Sequence, residues 1–297
     1  MNDRIILVDA YAQIYRCFYA IRADLSDAQG NPTNALFGIA RLLLQLDKSL
    51  PSSHGAFVFD KGKPTERVEI CPEYKAQRPP MPDRMRPQIP LIRDWILAFG
   101  WSIVEQEGLE ADDLIAAITR RRNGLPVQIV THDKDITQLT ADNDVILTFP
   151  EKGDKWVQMG AKEVQEKYGV APSQIAEYLA IVGDTADNII GISGVGPKRA
   201  AKMLQQFGSI DNILLHADEA GGKTLGPILK ESADLLHRNL QLTQLKDTLP
   251  DGYTETPRRN SPDWTKLLSL AQNNGFHSLL APLEKQRAAA QQPELLF

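Results

Sequence analysis

Five short apolar runs, rich in β-branched residues, mark the first half of the chain: RIILV (4–8), GAFVF (55–59), WSIVE (101–105), PVQIV (126–130) and DVILTF (144–149). They are near-continuous rather than alternating, the pattern of strands buried on both faces of a parallel sheet. Between them, near 33–48, 87–99 and 111–122, apolar residues recur with helical spacing. Strands alternating with helices predict an α/β layer whose parallel sheet is covered on both sides. From about residue 160 the strand-like runs disappear. Helical patterns such as AKEVQEKYG, SQIAEYLAIVG, PKRAAKMLQQFG and TKLLSLAQNNGF then alternate with Gly, Pro and Asn breakers. The pattern predicts a first domain over 1–168, a mostly helical second domain over 169–283 and a flexible tail over 284–297.

One segment crowds like charges against an apolar stripe. In GLEADDLIAA (108–117), Glu110, Asp112 and Asp113 precede Ala111, Leu114, Ile115 and Ile118, which fall at i, i+3, i+4 and i+7. Acids in a first helical turn complement the helix dipole, and that alone would explain one or two of them. The other acids argue for more. Asp9 follows the first run, Asp60 the second, and Asp133 and Asp135 the fourth, in THDKDITQL. Ligands of open parallel sheets bind outside the carboxyl ends of the strands, so seven carboxylates share one predicted rim. Carboxylates a few ångströms apart raise one another's pKa and call for cations. Oxygen donors without Cys or His favour Mg²⁺ or Mn²⁺ over zinc. A single such aspartate is more often a turn or cap residue, and seven are not.

Asp184 and Asp187 are three apart, on one face if helical, and read alone they are a cap or turn pair before Gly191. The adjoining GISGVGPKRAAK has Gly194 and Gly196 for a tight turn, Pro197 for a first helical position, and then Lys198, Arg199 and Lys202. Such a turn feeding a helix N-terminus presents amide donors to a phosphate. The proline-broken CPEYKAQRPPMPDRMRPQIP (71–90) predicts an exposed basic loop or a pair of short helices carrying Tyr74, Lys75, Arg78, Arg84 and Arg86, rooted just after Asp60.

Charge and composition qualify this picture. The net charge of −5 counts against a nucleic-acid partner. Its distribution does not: between Lys61 and Arg93 eight basic residues face four acids. Asp3 and Asp9 interrupt any signal-peptide core, and no apolar run approaches a membrane span, so the expectation is a cytoplasmic protein without a membrane partner. Cys17 and Cys71 suggest neither a disulfide scaffold nor a thiolate metal site.

Together ILVDAYAQIYRCFYA, FVFDKGKPTER, YKAQRPPMP, GLEADDLIA, THDKDITQL, VGDTADNIIGISGVGPKRA and NNGFHSLL resemble, in order, the motifs of the bacterial 5′–3′ exonuclease family, which includes the 5′-nuclease domain of DNA polymerase I and is related to flap endonucleases. The resemblance covers roughly residues 3 to 282. It implies a PIN-like parallel-sheet nuclease domain with a helical arch at about 71–98, followed by a helical domain with a helix-three-turn-helix element. It also implies a two-metal site of Asp9, Asp60, Glu110, Asp112, Asp113, Asp133, Asp135, Asp184 and Asp187. Mg²⁺ is the implied ion, with Mn²⁺ as substitute. Lys75 and Arg78 would meet the scissile phosphate, Tyr15 and Arg16 the terminal base and its phosphate, and the segment with Gly194, Gly196, Lys198, Arg199 and Lys202 would grip the duplex and hold K⁺ through main-chain carbonyls.

Ala10 stands where bacterial members often have Gly, which puts little in doubt. Setting the nine acids aside leaves the remaining chain at +4, compatible with DNA. The implied activity is metal-dependent hydrolysis of 5′ flaps, nicked ends and RNA-primed strands in replication and repair. A DNA-binding protein that does not cut, and a PIN-type RNA nuclease, are the alternatives. No polymerase sequence follows Phe297, so a free-standing, monomeric 5′-nuclease is expected. The tail QPELLF offers Gln292, Leu295 and Phe297 in the Q-x-x-L-x-F pattern of sliding-clamp peptides, or else is a fraying terminus.

Overall fold

The computed structural model describes residues 3–21, 25–151, 155–247, 249, 253 and 256–291. In chain order the elements are β1 (Ile5–Asp9), α1 (Ala10–Ala20), α2 (Asn34–Ser49), β2 (His54–Val58), α3 (Thr65–Ile70), α4 (Gln88–Ala98), β3 (Ser102–Val104), α5 (Ala111–Arg120), β4 (Val127–Val130), β5 (Val145–Pro150) and β6 (Trp156–Met159). There follow α6 (Ala161–Tyr168), α7 (Ile175–Val182), β7 (Gly183–Asp184), β8 (Ile189–Ile190), α8 (Pro197–Phe207), α9 (Ile210–Leu215), α10 (Ala217–Glu231), α11 (Ala233–Thr243), α12 (Trp264–Asn273) and α13 (His277–Gln291). Among the described residues no helix is long and apolar enough to cross a membrane.

The chain forms two compact units, each built from discontinuous segments. The first comprises Met1–Phe59, Pro80–Val104 and Thr254–Phe297. Here β1, β2 and β3 pair in parallel, Ile5 opposite His54 and Ala56 opposite Ser102. Every β1 residue is buried, as its unbroken apolar run requires. The helices α1, α2, α4, α12 and α13 belong to the same unit, joined by a Phe37–Phe276 edge-to-face pair and by Trp95, whose indole N–H donates to Asn274 Oδ1 (3.2 Å). Gln88, wholly buried, makes full use of its amide: Oε1 accepts Leu36 N–H (3.0 Å) and Nε2 donates to Asn34 Oδ1 (3.0 Å) and Arg84 O (2.8 Å).

The second unit comprises Asp60–Pro79 and Glu105–Tyr253. In it β4 and β5 are parallel and β5 and β6 antiparallel. A core of Val164, Ile175, Leu179, Ile181, Leu204 and Leu229, among others, joins α6 to α11. The strand β6 was not among the predicted runs, and the β7–β8 hairpin lies beyond the point where the sequence loses its strand signal. Two residues per strand are too few to carry a periodicity, and the mixed Trp-Val-Gln-Met of β6 carries little.

The expected tail does not start at residue 284. Residues 284–291 continue α13, and Gln286 donates to Leu44 O (3.1 Å), a bond the polar sequence gave no sign of. Gln292, Leu295 and Phe297 lie outside the described residues.

Candidate metal centre

The second unit alone holds eight of the nine predicted acids. Asp60 Oδ1 accepts the Ala111 N–H (3.0 Å) and thereby caps α5, because the N-cap residue Glu110 makes no side-chain cap bond. Burial raises the Asp60 pKa, and Glu110 adds to the rise. Successive helical residues point about 100° apart, and Asp112 and Asp113 face different partners. Asp112 brings a carboxylate oxygen within 4.8 Å of one from Asp133. Asp113, 2% exposed, turns the other way and gives both oxygens to Arg67 and one also to Lys246 N–H (2.9 Å).

The second group is Asp135, Asp184 and Asp187, each offering an oxygen within 4.8 Å of the others. The turn after β4 folds on itself, Asp133 N–H to Thr131 Oγ1 (3.0 Å) and Asp135 N–H to Asp133 Oδ1 (2.9 Å), which holds both aspartates at the strand end. Asp184 and Asp187 share a hairpin turn rather than a helix face. There Ala186 N–H meets Asp184 Oδ1 (2.9 Å) and Asp187 N–H meets Asp184 O (3.2 Å). Gly191 makes that hairpin possible: a Cβ on it would lie 2.2 Å from Val182 O.

Burial raises the pKa of Asp133, and raises that of Asp135 well above the ordinary value of 3.8, where the charges of Asp133, Asp187 and Asp184 add to it. Asp135 Oδ1 is buried with no hydrogen-bond partner. An oxygen-only donor set with an unsatisfied carboxylate oxygen fits a hard divalent cation.

Basic side chains meet these acids. Lys75 pairs with Glu110 and lies 3.6 Å from Asp187, Arg78 reaches Asp187 Oδ1 (2.6 Å), and Lys134 reaches Asp184 (2.7 Å). Burial opposes the charge on Lys75, but Glu110 and Asp187 hold its pKa above the usual lysine value. Residues 71–79 are therefore turns packed onto the acids, with Lys75 at φ 55° and its N–H on Asp187 O (3.1 Å). Tyr74, expected on an exposed loop, is buried instead. It is 6% exposed, packed with Cys71, Ile189 and Leu242, and its hydroxyl reaches Asp187 (3.0 Å) and Glu110 (3.3 Å). An aromatic between prolines looked exposed in sequence, but the turn folds it inward. Of the expected arch over 71–98, residues 88–98 form α4, which buries Ile92, Trp95 and Ile96.

Gly194 (φ 79°) and Gly196 stand open, a Cβ on either meeting nothing within 4 Å, while Ile192 and Val195 anchor the turn in the core. Lys198, Arg199 and Lys202 are exposed on the first turns of α8, with Pro197 at its start. In the first unit, Asp9 ends β1 and accepts Ala12 N–H (3.2 Å) as the N-cap of α1. Tyr11, Tyr15 and Tyr19 follow at four-residue steps, with Tyr15 and Tyr19 stacked at 6.3 Å and 24°. Arg16 is held by Gln13 (3.0 Å).

The sequence reading missed Arg67 and Lys134. Lys134 had a signal, its place between Asp133 and Asp135; Arg67 closes the FVFDKGKPTER motif, but nothing in the sequence gave it a partner.

Comparison with known proteins agrees with the geometry. The N-terminal resolvase-like domain of 5′-3′ exonucleases matches residues 4–169, and the C-terminal SAM fold of 5′-3′ exonucleases matches residues 170–263. The chain is 35% identical over 292 residues to a 5′-3′ exonuclease of Aquifex aeolicus, covering 97% of this chain and 98% of that one. It is 33% identical over 299 residues to DNA polymerase I of Bacillus subtilis, covering 99% of this chain and 34% of the polymerase. Several other DNA polymerase I chains are likewise spanned over only about a third of their length. A flap endonuclease of bacteriophage T5, solved as a pseudo-enzyme-product complex with DNA and metal ions, shares the fold at a TM-score of 0.66 and 20% identity, over 97% of this chain and all of that one. With a mixed α/β parallel-sheet domain followed by a helical SAM-like domain, and with an acidic centre, this chain belongs to the 5′-3′ exonuclease family.

Proposed function

We propose that this nuclease hydrolyses phosphodiesters of 5′ flaps, nicked DNA and RNA-primed ends in replication and repair, using two Mg²⁺ ions for which Mn²⁺ can substitute. The observation that carries the reading is the pairing of two oxygen-only acid groups, Asp112 with Asp133 and Asp135 with Asp184 and Asp187, in one compact unit. Asp60 and Glu110 belong to the same unit, and Asp9 is the further ligand that the family resemblance implies.

When bound, the metal ions would lower the pKa of a water and relieve charge on the phosphoryl and leaving oxygens. The chain's own residues do the rest. Lys75 and Arg78, which meet Glu110 and Asp187 at the acid rim, would direct their positive charge to the scissile phosphate; loss of one such contact costs about 10²–10³ in rate. Tyr15 stacks on the terminal base and Arg16 meets its phosphate. The open Gly194–Gly196 turn, with Lys198, Arg199 and Lys202, grips the duplex backbone through amides and charge, a mode that recognises DNA shape rather than sequence. K⁺ on the main-chain carbonyls of that turn, a monomeric state, a cytoplasmic site of action and docking of Gln292, Leu295 and Phe297 on a sliding clamp complete the reading. Truncation after Ala290 is expected to abolish clamp capture.

The test is cleavage of a 5′-labelled flap substrate with Mg²⁺, with EDTA, and by Asp133→Asn/Asp135→Asn. Cutting near the junction that needs Mg²⁺ and disappears in the variant is expected. Tight binding without cutting, by folded protein and with Mn²⁺ also supplied, would overturn the reading.

A further inference from the structure

Arg67 is 4% exposed, and its three guanidinium nitrogens are all engaged. Nη1 donates to Glu110 Oε2 (2.6 Å) and to Asp113 Oδ2, Nη2 to Asp113 Oδ1 (2.9 Å) and Gln244 O (3.3 Å), and Nε to Leu242 O (2.9 Å). Five donors thus meet five acceptors, a complete use of the guanidinium fork. The acceptors come from two places: the N-terminus of α5, where the N-cap residue Glu110 and Asp113 stand three positions apart, and the C-terminal end of α11, where Leu242 and the C-cap residue Gln244 offer carbonyls.

The same contacts commit Asp113. Both of its oxygens face Arg67, and Oδ1 also takes the Lys246 N–H (2.9 Å). The strap over residues 242–246 is itself pinned by Gln138, which donates to Thr243 O (2.8 Å) and accepts Leu245 N–H (3.3 Å). Glu110 is divided differently: Oε2 belongs to Arg67, while Oε1 faces Lys75, which also approaches Asp187. Arg67 therefore determines which oxygen of Glu110 looks toward the acid rim.

We propose that Arg67 is a positioning residue of the metal centre, holding Glu110 in a ligating orientation with Asp113 as its fixed counter-ion, so that Asp113 binds arginine and not metal. The inference rests on reading the acidic rim as a metal centre. Lysine cannot replace the arginine, because a point charge on a flexible stem does not reproduce five donors in a planar fork. Partners that orient metal ligands typically contribute about 10–100-fold in metal affinity when removed.

The experiment measures Mn²⁺ binding to the full-length protein by isothermal titration calorimetry without DNA, alongside melting curves in EDTA. The proteins are wild type, Arg67→Lys, Asp113→Asn and Asp112→Asn. The expected results are a roughly tenfold or greater loss of Mn²⁺ affinity in Arg67→Lys that still melts cooperatively, and a far smaller loss in Asp113→Asn, whose amide oxygen still accepts from Arg67. Asp112→Asn is expected to lose a binding equivalent. Unchanged Mn²⁺ affinity in folded Arg67→Lys would overturn the positioning role. Loss in Asp113→Asn as deep as in Asp112→Asn would make Asp113 a ligand and overturn the proposal, and this arm decides the matter even where Arg67→Lys fails to fold. Wild type and Asp112→Asn binding Mn²⁺ alike would instead remove the metal-centre reading on which the inference stands.

Discussion

Asp112 and Asp113 are adjacent in the chain and chemically identical, yet one faces Asp133 and the other a buried arginine. The sequence announced both, because charge against an apolar stripe is visible, but it could not say which face of the first turn each would occupy. Arg67 was illegible for a related reason: the carbonyl it binds on Leu242 is 175 positions away. Among the acids, Asp135 carries the clearest consequence. Its folded pKa lies well above that of a free carboxyl, as to a lesser extent do those of Asp133 and Asp60. The folded protein thus holds protons that the unfolded chain has released. Without metal, stability conferred by these groups is present at low pH and declines as pH rises from about 4 through the raised folded values. Metal affinity moves the opposite way, since ligands must lose their protons first. Melting in EDTA across pH 4–8 is expected to show the decline, and metal titration the rise. Asp135→Asn removes a repelled buried charge and is expected to raise the melting temperature in EDTA at pH 8 by about 2–4 °C, the shift for about 1 kcal/mol, while weakening the response to Mg²⁺.

At the level of elements, the buried strands were readable almost to the residue, because parallel strands covered on both faces must be apolar throughout. The hairpin that carries Asp184 and Asp187 was not readable as such; its evidence is steric, in the absence of side chains at Gly183 and Gly191. Helix α1 joins legible and illegible features. Asp9 as its cap follows from position, whereas the tyrosine ladder becomes meaningful only when Tyr15 and Tyr19 are seen stacked and Tyr19 71% exposed. Base stacking on such a ring contributes about 1–3 kcal/mol. Tyr15→Ala is therefore expected to weaken flap binding by about tenfold or more in fluorescence anisotropy with Ca²⁺, with little change in melting temperature. A comparable affinity in the variant would remove Tyr15 from the DNA path.

For the whole molecule, the α/β-then-helical order was legible from pattern, and the net charge of −5 was a weak guide to partners because setting aside the nine candidate metal-site acids leaves the rest of the chain at +4. Lys198, Arg199 and Lys202 face solvent with no acid among them. Lys202→Ala is expected to reduce the dependence of log Kd on log salt by about one unit without changing sequence preference, measured on duplex DNA between 50 and 200 mM KCl. An unaltered slope would place the duplex elsewhere.

The division into compact units was not foreseeable from pattern, since each unit is assembled from separated stretches of chain. That weave bears on synthesis. The first unit opens with β1 at residue 5, yet Phe276, which covers Phe37 and Trp95, and Asn274, which accepts from Trp95, are translated some 180 to 240 residues later. A ribosome that has delivered β1, α2 and α4 has delivered a half-covered core, and the second unit emerges in full before α12 and α13 arrive. The nuclease therefore cannot mature strictly from its N-terminus forward, and a chain released before residue 274 would expose aromatic surface for quality-control machinery to find.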